Sequence, residues 1–101
     1  MAANPMKPLC LVRLTYTVPL EEVDVHRPPH VDWLKRMADE GVMLLAGRTD
    51  PPTGGVLIFR GEKAEVEPLA QTDPFVANGV ATADVVAFRA SVTTEEVAAL
   101  L

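Results

Sequence analysis

The sequence predicts a single α+β domain whose elements follow the order β-α-β-β-α-β, with one more helix at the end. Two observations predict this class. Four short apolar runs with strand-like patterns are separated by segments of helical spacing or by turn residues. The chain has 101 residues, 49% of them hydrophobic, which is enough for one core and too few for a second.

The first element is a strand over residues 9–18, and residues 1–8 before it are expected to form a disordered leader. Residues 9–101 then make up the single domain. Side chains alternate along this strand, so one face is apolar and carries Cys10, Val12, Leu14 and Tyr16. The other face is mixed and carries Leu11, Arg13, Thr15 and Thr17. We expect the apolar face to pack on the core, and the mixed face to meet solvent or line a polar cavity.

The second element is an amphipathic helix that ends at Gly41. Residues 20–26 lead into it as a turn or a short helical turn. Pro28 and Pro29 fit the first turn of a helix, where backbone N–H groups have no helical partners. His30 lies on the same helical face as the apolar residues Trp33, Leu34, Met37 and Ala38. Gly41 stands where a left-handed C-terminal cap is expected.

The middle of the chain contains two strands and a second helix. Residues 42–46 are a continuous apolar run, which predicts a strand buried on both faces or at a tight interface. A segment rich in glycine and proline leads to a third strand over residues 56–59. A helix over residues 62–72 follows, and Pro68 within it predicts a kink or two short pieces.

The chain ends with a fourth strand over residues 80–90 and a short helix that reaches residue 101. Thr93 and Glu96 have the spacing of a capping box ahead of that helix. The full order is the ferredoxin-like arrangement, with helices on one face of an antiparallel sheet. The second and third strands leave apolar side chains on the other face as well, and a monomer rarely exposes such a surface. The sequence therefore predicts a two-fold homodimer that packs sheet on sheet.

Composition excludes several classes of partner. The net charge is −5 and the lysines and arginines form no run, so a nucleic-acid partner is not expected. The apolar runs are strand-length, well short of the roughly 20 residues that span a bilayer, and the first eight residues do not resemble a signal peptide. The single cysteine, Cys10, cannot form an internal disulfide and is typical of a reducing cytoplasm. We therefore expect a cytoplasmic protein.

The sequence predicts neither a metal nor a cofactor. One cysteine and two histidines are too few for a usual zinc site. The chain contains neither a dinucleotide fingerprint nor a glycine-rich phosphate cradle. A small-molecule ligand without phosphate is therefore the expected partner, apart from a second copy of the chain.

His30 is the residue most indicative of chemistry. A titratable imidazole at the buried edge of a helix needs a polar partner, because burial of an unpaired polar group is costly. Two interpretations stay open from the residues alone. His30 is either a core histidine that is hydrogen-bonded to a neighbour or a catalytic base. Both stay open because only some buried titratable groups belong to functional sites.

Several motifs, in this order, resemble the YCII-related (YciI-like) protein family. They are Arg27-Pro28-Pro29-His30, Asp39-Glu40-Gly41 followed by Leu44-Leu45-Ala46-Gly47, Asp73-Pro74-Phe75, and Gly79-Val80. The resemblance covers about residues 9–90. It implies a ferredoxin-like dimeric α+β barrel and a histidine–aspartate pair at the active site, which the motifs place at His30 and Asp73. One branch of the family is similar to a dehydrochlorinase that acts on chlorinated hydroxyquinols.

Two functions from different classes are compatible with such a pair. In the first, Asp73 orients a neutral imidazole and His30 accepts a proton as general base, in a lyase or isomerase reaction on a small aromatic or enolic compound. In the second, the pair is a structural contact in a non-catalytic dimeric module that binds a small ligand or a partner. A His30→Gln variant loses turnover only in the first case.

Three arginines are candidate contacts for an anionic group of the ligand. Arg13 lies on the mixed face of the first strand, where the alternatives are an ion pair with Asp84 or exposure to solvent. Arg48 begins the turn segment after the second strand, where the family commonly has proline, and either contacts substrate or lies in solvent. Arg27 belongs to the family motif and is also a candidate salt-bridge residue at the start of the helix.

Overall fold

The computed structural model describes residues 2–101, with side chains from residue 6 onward. The elements in chain order are β1 (Ala2–Tyr16), α1 (Leu20–Val25), α2 (Arg27–Asp39), β2 (Met43–Arg48), β3 (Gly54–Arg60), α3 (Lys63–Gln71), α4 (Pro74–Ala77), β4 (Ala81–Thr93) and α5 (Glu95–Ala98). The four strands form one antiparallel sheet in the order β2-β3-β1-β4. The predicted α+β class is confirmed.

The two faces of the sheet differ as the alternation of β1 predicts. Cys10, Val12 and Leu14 are buried against the helices, whereas Arg13 and Thr15 are exposed on the opposite side. We call the side with Cys10, Val12 and Leu14 the helix face, and the side with Arg13 and Thr15 the open face. The main core lies between the helix face and the helices α1–α4.

Strand β1 begins at Ala2 instead of residue 9. Strand β4 extends to Thr93, and its last residues pair with the start of β1, so that Ala2 lies opposite Thr93 and Lys7 opposite Ala90. Residues 2–8 are therefore strand, not the disordered leader that the sequence predicts. The cause is a long partner strand that offers backbone hydrogen bonds to this segment, which its own composition does not reveal. Met1 lies outside the described residues.

Strand β2 is an edge strand, so within one copy of the chain it is not buried on both faces, and its predicted alternative, a tight interface, stays a prediction. Among its six residues only Met43 is buried, and Leu45 on the open face is 60% exposed. Within residues 2–101, β2 pairs with β3 alone. The apolar run therefore combines a buried residue at the start of the strand, Met43, with apolar residues that are exposed within one copy of the chain.

Helices α1 and α2 follow the prediction closely. Residues 20–25 are helical, and α2 has Pro28 and Pro29 in its first turn. Gly41 has a φ of +76°, the left-handed conformation that ends a helix and that glycine adopts without steric cost.

Helix α3 is continuous through Pro68, so the predicted division into two short pieces is wrong. A capping box between Glu62 and Glu65 begins the helix. Proline removes one backbone hydrogen bond, but Val66 and Ala70 are buried on either side of it and hold the helix on the core.

The two shortest helices differ from the prediction. Helix α4, of four residues, follows α3 directly and was not expected. Helix α5 is capped by Thr94, whose Oγ1 accepts a hydrogen bond of 3.3 Å from Val97 N. The predicted cap, Thr93, is instead the last residue of β4, because that strand continues to pair with β1 up to this point.

Large apolar side chains lie at the surface of the open face. Leu45, Val86 and Phe88 are 60%, 51% and 43% exposed. Leu11 and Ile58, which lie between them in the sheet, are half-buried. This surface is contiguous across all four strands, and it lies on the side of the sheet away from the main core.

Candidate active site

His30 lies in the first turn of α2, on the side of the helix that faces the core. Only 7% of the residue is exposed. Trp33 and Met37, on the same helical face, are buried as well. The helical spacing read from the sequence therefore places the imidazole at the edge of the core, as predicted.

Asp73 reaches His30 from the junction between α3 and α4. Its Oδ1 lies 2.7 Å from His30 Nδ1, and only 1% of Asp73 is exposed. The structure thus brings together the two residues that the family motifs pair, although they are 43 positions apart in the chain.

The same Asp73 oxygen also caps α4. Oδ1 accepts a hydrogen bond of 2.9 Å from Phe75 N, while Oδ2 is buried without a hydrogen-bond partner in the described part of the chain. An oxygen that accepts a backbone N–H also acts as acceptor toward His30, so Nδ1 carries the proton and donates it. In a neutral imidazole this leaves the lone pair on Nε2.

The second ring nitrogen of His30, Nε2, is the free end of the imidazole. It makes no hydrogen bond to any residue between 2 and 101, and it is not shielded from solvent. His30 also lines a pocket on the helix face. One ring nitrogen is therefore held inside the protein by Asp73, and the other is left without a protein partner among residues 2–101.

Aromatic rings fix the plane of the imidazole. The Phe75 ring stacks on His30 with centroids 3.8 Å apart and planes at 11°, and the Trp33 ring lies at 6.4 Å. Trp33 Nε1 donates a hydrogen bond of 2.9 Å to Thr72 Oγ1. This bond ties α2 to the residue before Asp73 and so links the elements that carry the two members of the pair.

A pocket of about 120 Å³ opens beside His30, between the start of α2 and the ends of β2 and β3. Its apolar walls come from the helix and from the sheet, and include Leu14, Val31, Leu34, Ala46 and Leu57. Arg27 and Arg48 line it too. Of the described residues, no aspartate or glutamate does. The pocket thus combines an apolar interior with two cations.

Arg27 is held at the pocket by α1. Its Nε donates a hydrogen bond of 2.8 Å to Asp24 Oδ1, and its Nη2 lies 2.8 Å from the same oxygen in an ion pair. Nη2 itself is buried. Burial alone would lower the pKa of Arg27, but interactions with Tyr16 and Asp24 outweigh it and raise that pKa. The guanidinium is a permanent cation, 5.4 Å from the centre of the Phe75 ring.

The other two candidate arginines lie on different sides of the sheet. Arg48, the last residue of β2, is exposed at the rim of the pocket and makes no ion pair with any described residue. Arg13 lies on the open face opposite Asp84, without an ion pair to it. Within one copy of the chain Arg13 does not line the pocket beside His30, because alternation along β1 points it away from the helices.

Sequence reasoning missed two contributors to the site. Phe75 belongs to the same motif as Asp73, and its place two residues after a capping aspartate puts its ring beside the cap, a signal that was present but not used. Trp33 was predicted only as a core residue. Its hydrogen bond to Thr72 could not be found from spacing, because it depends on how α2 and α3 pack.

Two negative findings concern the described residues alone. Between residues 2 and 101, no cluster of three or more histidine, cysteine, aspartate or glutamate side chains could hold a metal ion. In the same part of the chain, no helix has the length and apolar character needed to cross a membrane.

Comparisons with known proteins agree with this architecture. A family model described as the YCII-related domain matches residues 6–89. Among solved structures, the chain is similar to 5-chloro-2-hydroxyhydroquinone dehydrochlorinase from Burkholderia phenoliruptrix in complex with 2,5-dihydroxybenzoquinone. The TM-score is 0.65 and the identity 22%, over 77% of this chain and 90% of that one, which is a likeness of fold. No curated protein sequence matches the chain.

Proposed function

We propose that this chain, which belongs to the YCII-related domain family, is a small-molecule enzyme of the lyase or isomerase type. His30 is the general base, and Asp73 orients it. One observation carries the proposal. The 2.7 Å contact between His30 Nδ1 and Asp73 Oδ1 engages one ring nitrogen and leaves Nε2 without a partner among the described residues, on a residue that lines a pocket.

The proposed reaction begins with proton transfer to His30 Nε2 from an acidic C–H or O–H of the bound compound. The electron pair left behind forms a new C=C or C=O bond. In an elimination it displaces a leaving group such as chloride, which departs with its bonding electrons, so the net change is loss of HCl. In an isomerisation the same proton returns to another carbon. A general base contributes about 10²–10⁴-fold, which suffices for protons already acidified by neighbouring oxygens.

The pocket supplies the remaining contacts. We assign Arg27 and Arg48 to substrate binding, since both line the pocket beside His30. Arg13 is left out, because it lies on the open face. A purely structural pair would also satisfy His30 through Nδ1, but it would give no reason for an accessible Nε2 between an apolar wall and two cations.

The first test reads the tautomer of His30 by ¹⁵N NMR and needs no substrate. We expect the neutral ring to be protonated at Nδ1 and bare at Nε2. His26 is the matched comparison, because it is the other histidine of the chain and its side chain makes no hydrogen bond to any described residue. A His30 ring protonated mainly at Nε2 would overturn its role as base.

The second test measures chloride release from 5-chloro-2-hydroxyhydroquinone, the compound named for the structural neighbour. We expect wild type and His26→Gln to release chloride, and His30→Gln to be slower by about 100-fold or more. Equal rates for both variants would exclude His30 as base. An inactive wild type would refute dehydrochlorination of this compound. The role of His30 as general base would then be decided by the tautomer measurement.

We further propose a cytoplasmic homodimer in which two ferredoxin-like domains pack their open faces into a dimeric α+β barrel. The exposed Leu45, Val86 and Phe88 support the dimer, and the buried free thiol of Cys10 supports a reducing compartment. Sedimentation velocity should give a dimer for wild type and for Lys35→Glu on α2, but a monomer for Val86→Glu. A monomeric wild type at micromolar concentration would refute the assembly.

A further inference from the structure

We infer that the pocket beside His30 selects a single-ring compound that carries an oxyanion, and that Arg48 determines this preference. The inference rests on the proposed function in one respect, namely that this pocket is the substrate site. It adds the chemical class of the ligand and a specificity residue in the chain.

The size of the pocket limits the ligand to about one ring. Its volume is about 120 Å³, and its walls are largely aliphatic. For comparison, an apolar cavity of about 150 Å³ in another protein holds benzene. A compound with two fused rings would have to extend beyond the pocket, past the exposed Arg48 at the rim.

The charges that line the pocket indicate the charge of the ligand. Arg27 and Arg48 line it, and among the described residues no aspartate or glutamate does. Arg27 is paired with Asp24, whose Oδ1 lies 2.8 Å from Nη2, so its charge is partly compensated. A negatively charged oxygen of the ligand would form a charge-assisted hydrogen bond with a guanidinium at the wall of the pocket.

Arg48 supplies the charge that is not yet used. It lies opposite Gly55 in the register of β2 and β3, so no side chain faces it across the strands. It has no ion pair within the described residues. Two carboxylates contact residues that line the pocket, and both are already paired, Asp24 with Arg27 and Asp73 with His30.

His30, Arg27 and Arg48 line the same small pocket, so one ligand can lie beside all three. A ring bound there would place its oxyanion near the arginines and its acidic proton near the histidine. Two kinds of oxyanion share this chemistry, a carboxylate and an ionised phenol.

The test compares ligands of the same shape and different charge. Benzoate, ionised 4-nitrophenol and neutral benzamide are titrated into the protein while the ring-proton resonances of His30 are followed by NMR. Arg48→Gln is compared with Arg36→Gln on α2, because each removes one positive charge from an exposed arginine without an ion pair to described residues. We expect wild type and Arg36→Gln to prefer the anions, and Arg48→Gln to bind them about fivefold more weakly with benzamide unchanged.

Each outcome decides the inference. A preference for benzoate or for the phenolate, lost in Arg48→Gln alone, supports it and identifies the kind of oxyanion. Equal binding of benzoate and benzamide, equal losses in both variants, or no binding of any of the three overturns it. The tautomer of His30 is measured without ligand. If the protein shows no preference for the anions while Nε2 is found unprotonated, the proposed ligand class is overturned, but the role of His30 as general base is not.

Discussion

Replacing Asp73 by alanine removes one oxygen that two buried donors share. His30 Nδ1 lies 2.7 Å from Oδ1, and Phe75 N lies 2.9 Å from it. Each buried donor left without an acceptor costs about 1–3 kcal/mol. The hydrogen bond from Phe75 N is also the cap of α4, so the loss of the cap adds no separate cost. Removal of the unpartnered Oδ2 offsets part of the cost, and we expect a loss of about 2–4 kcal/mol in the free energy of unfolding.

Urea denaturation followed by the fluorescence of Trp33, the one tryptophan, measures this loss. All variants are compared at one protein concentration, since dimerisation would add to apparent stability. Asp73→Asn keeps an acceptor oxygen and should lose about half as much, because hydrogen bonds to a charged group are about twice as strong. Asp39→Asn on α2 is the control, an exposed aspartate without an ion pair to described residues, expected within about 0.5 kcal/mol of wild type. A loss below about 1 kcal/mol for Asp73→Ala would refute the shared-acceptor argument.

Three further predictions concern other parts of the molecule. Burial, followed by the charge of nearby glutamates, raises the pKa of the Cys10 thiol above its ordinary value of 9.0. The thiol should therefore resist alkylation by iodoacetamide until the chain unfolds, and rapid labelling of the native protein would contradict its burial. Because the folded state disfavours the thiolate, the free energy of unfolding should fall as the pH rises above about 9. A Cβ at Gly54 would overlap a backbone carbonyl of β1, whereas nothing lies near one at Gly47. Thermal unfolding should thus show Gly54→Ala strongly destabilised and Gly47→Ala close to wild type, and similar melting temperatures would disprove the steric argument. Phe75→Leu should shift the ring-proton resonances of His30, since the stacked ring at 3.8 Å is lost, whereas Phe75→Tyr should preserve them; unchanged spectra in Phe75→Leu would show that the rings are not stacked in solution.

Patterns within a single element could be read directly from the sequence. The alternation along β1 separated buried from exposed side chains, and helical spacing placed His30 on the buried face of α2. Gly41 marked the end of that helix. These features depend only on residues that are close in the chain, within one or two helical turns or a few residues of a strand. Over such distances the periodicities of helices and strands apply.

Features that depend on distant partners could not be read in this way. The early start of β1 and the use of Thr94 as a cap both follow from how far β4 continues to pair with β1. The partner of His30 came from family motifs, since nothing in helical spacing leads from α2 to Asp73. The face on which Arg13 lies could be predicted, because alternation along β1 places it opposite the side that packs against α2.

The shared oxygen of Asp73 has a consequence for comparing members of this family. A carboxylate that caps a helix and holds a buried imidazole is retained by the demand for a stable fold, whether or not any reaction takes place. A relative that had abandoned catalysis would still keep the pair. The histidine and aspartate therefore diagnose the architecture, and it is the lining of the pocket, above all the residue at the position of Arg48, that should vary when the chemistry changes.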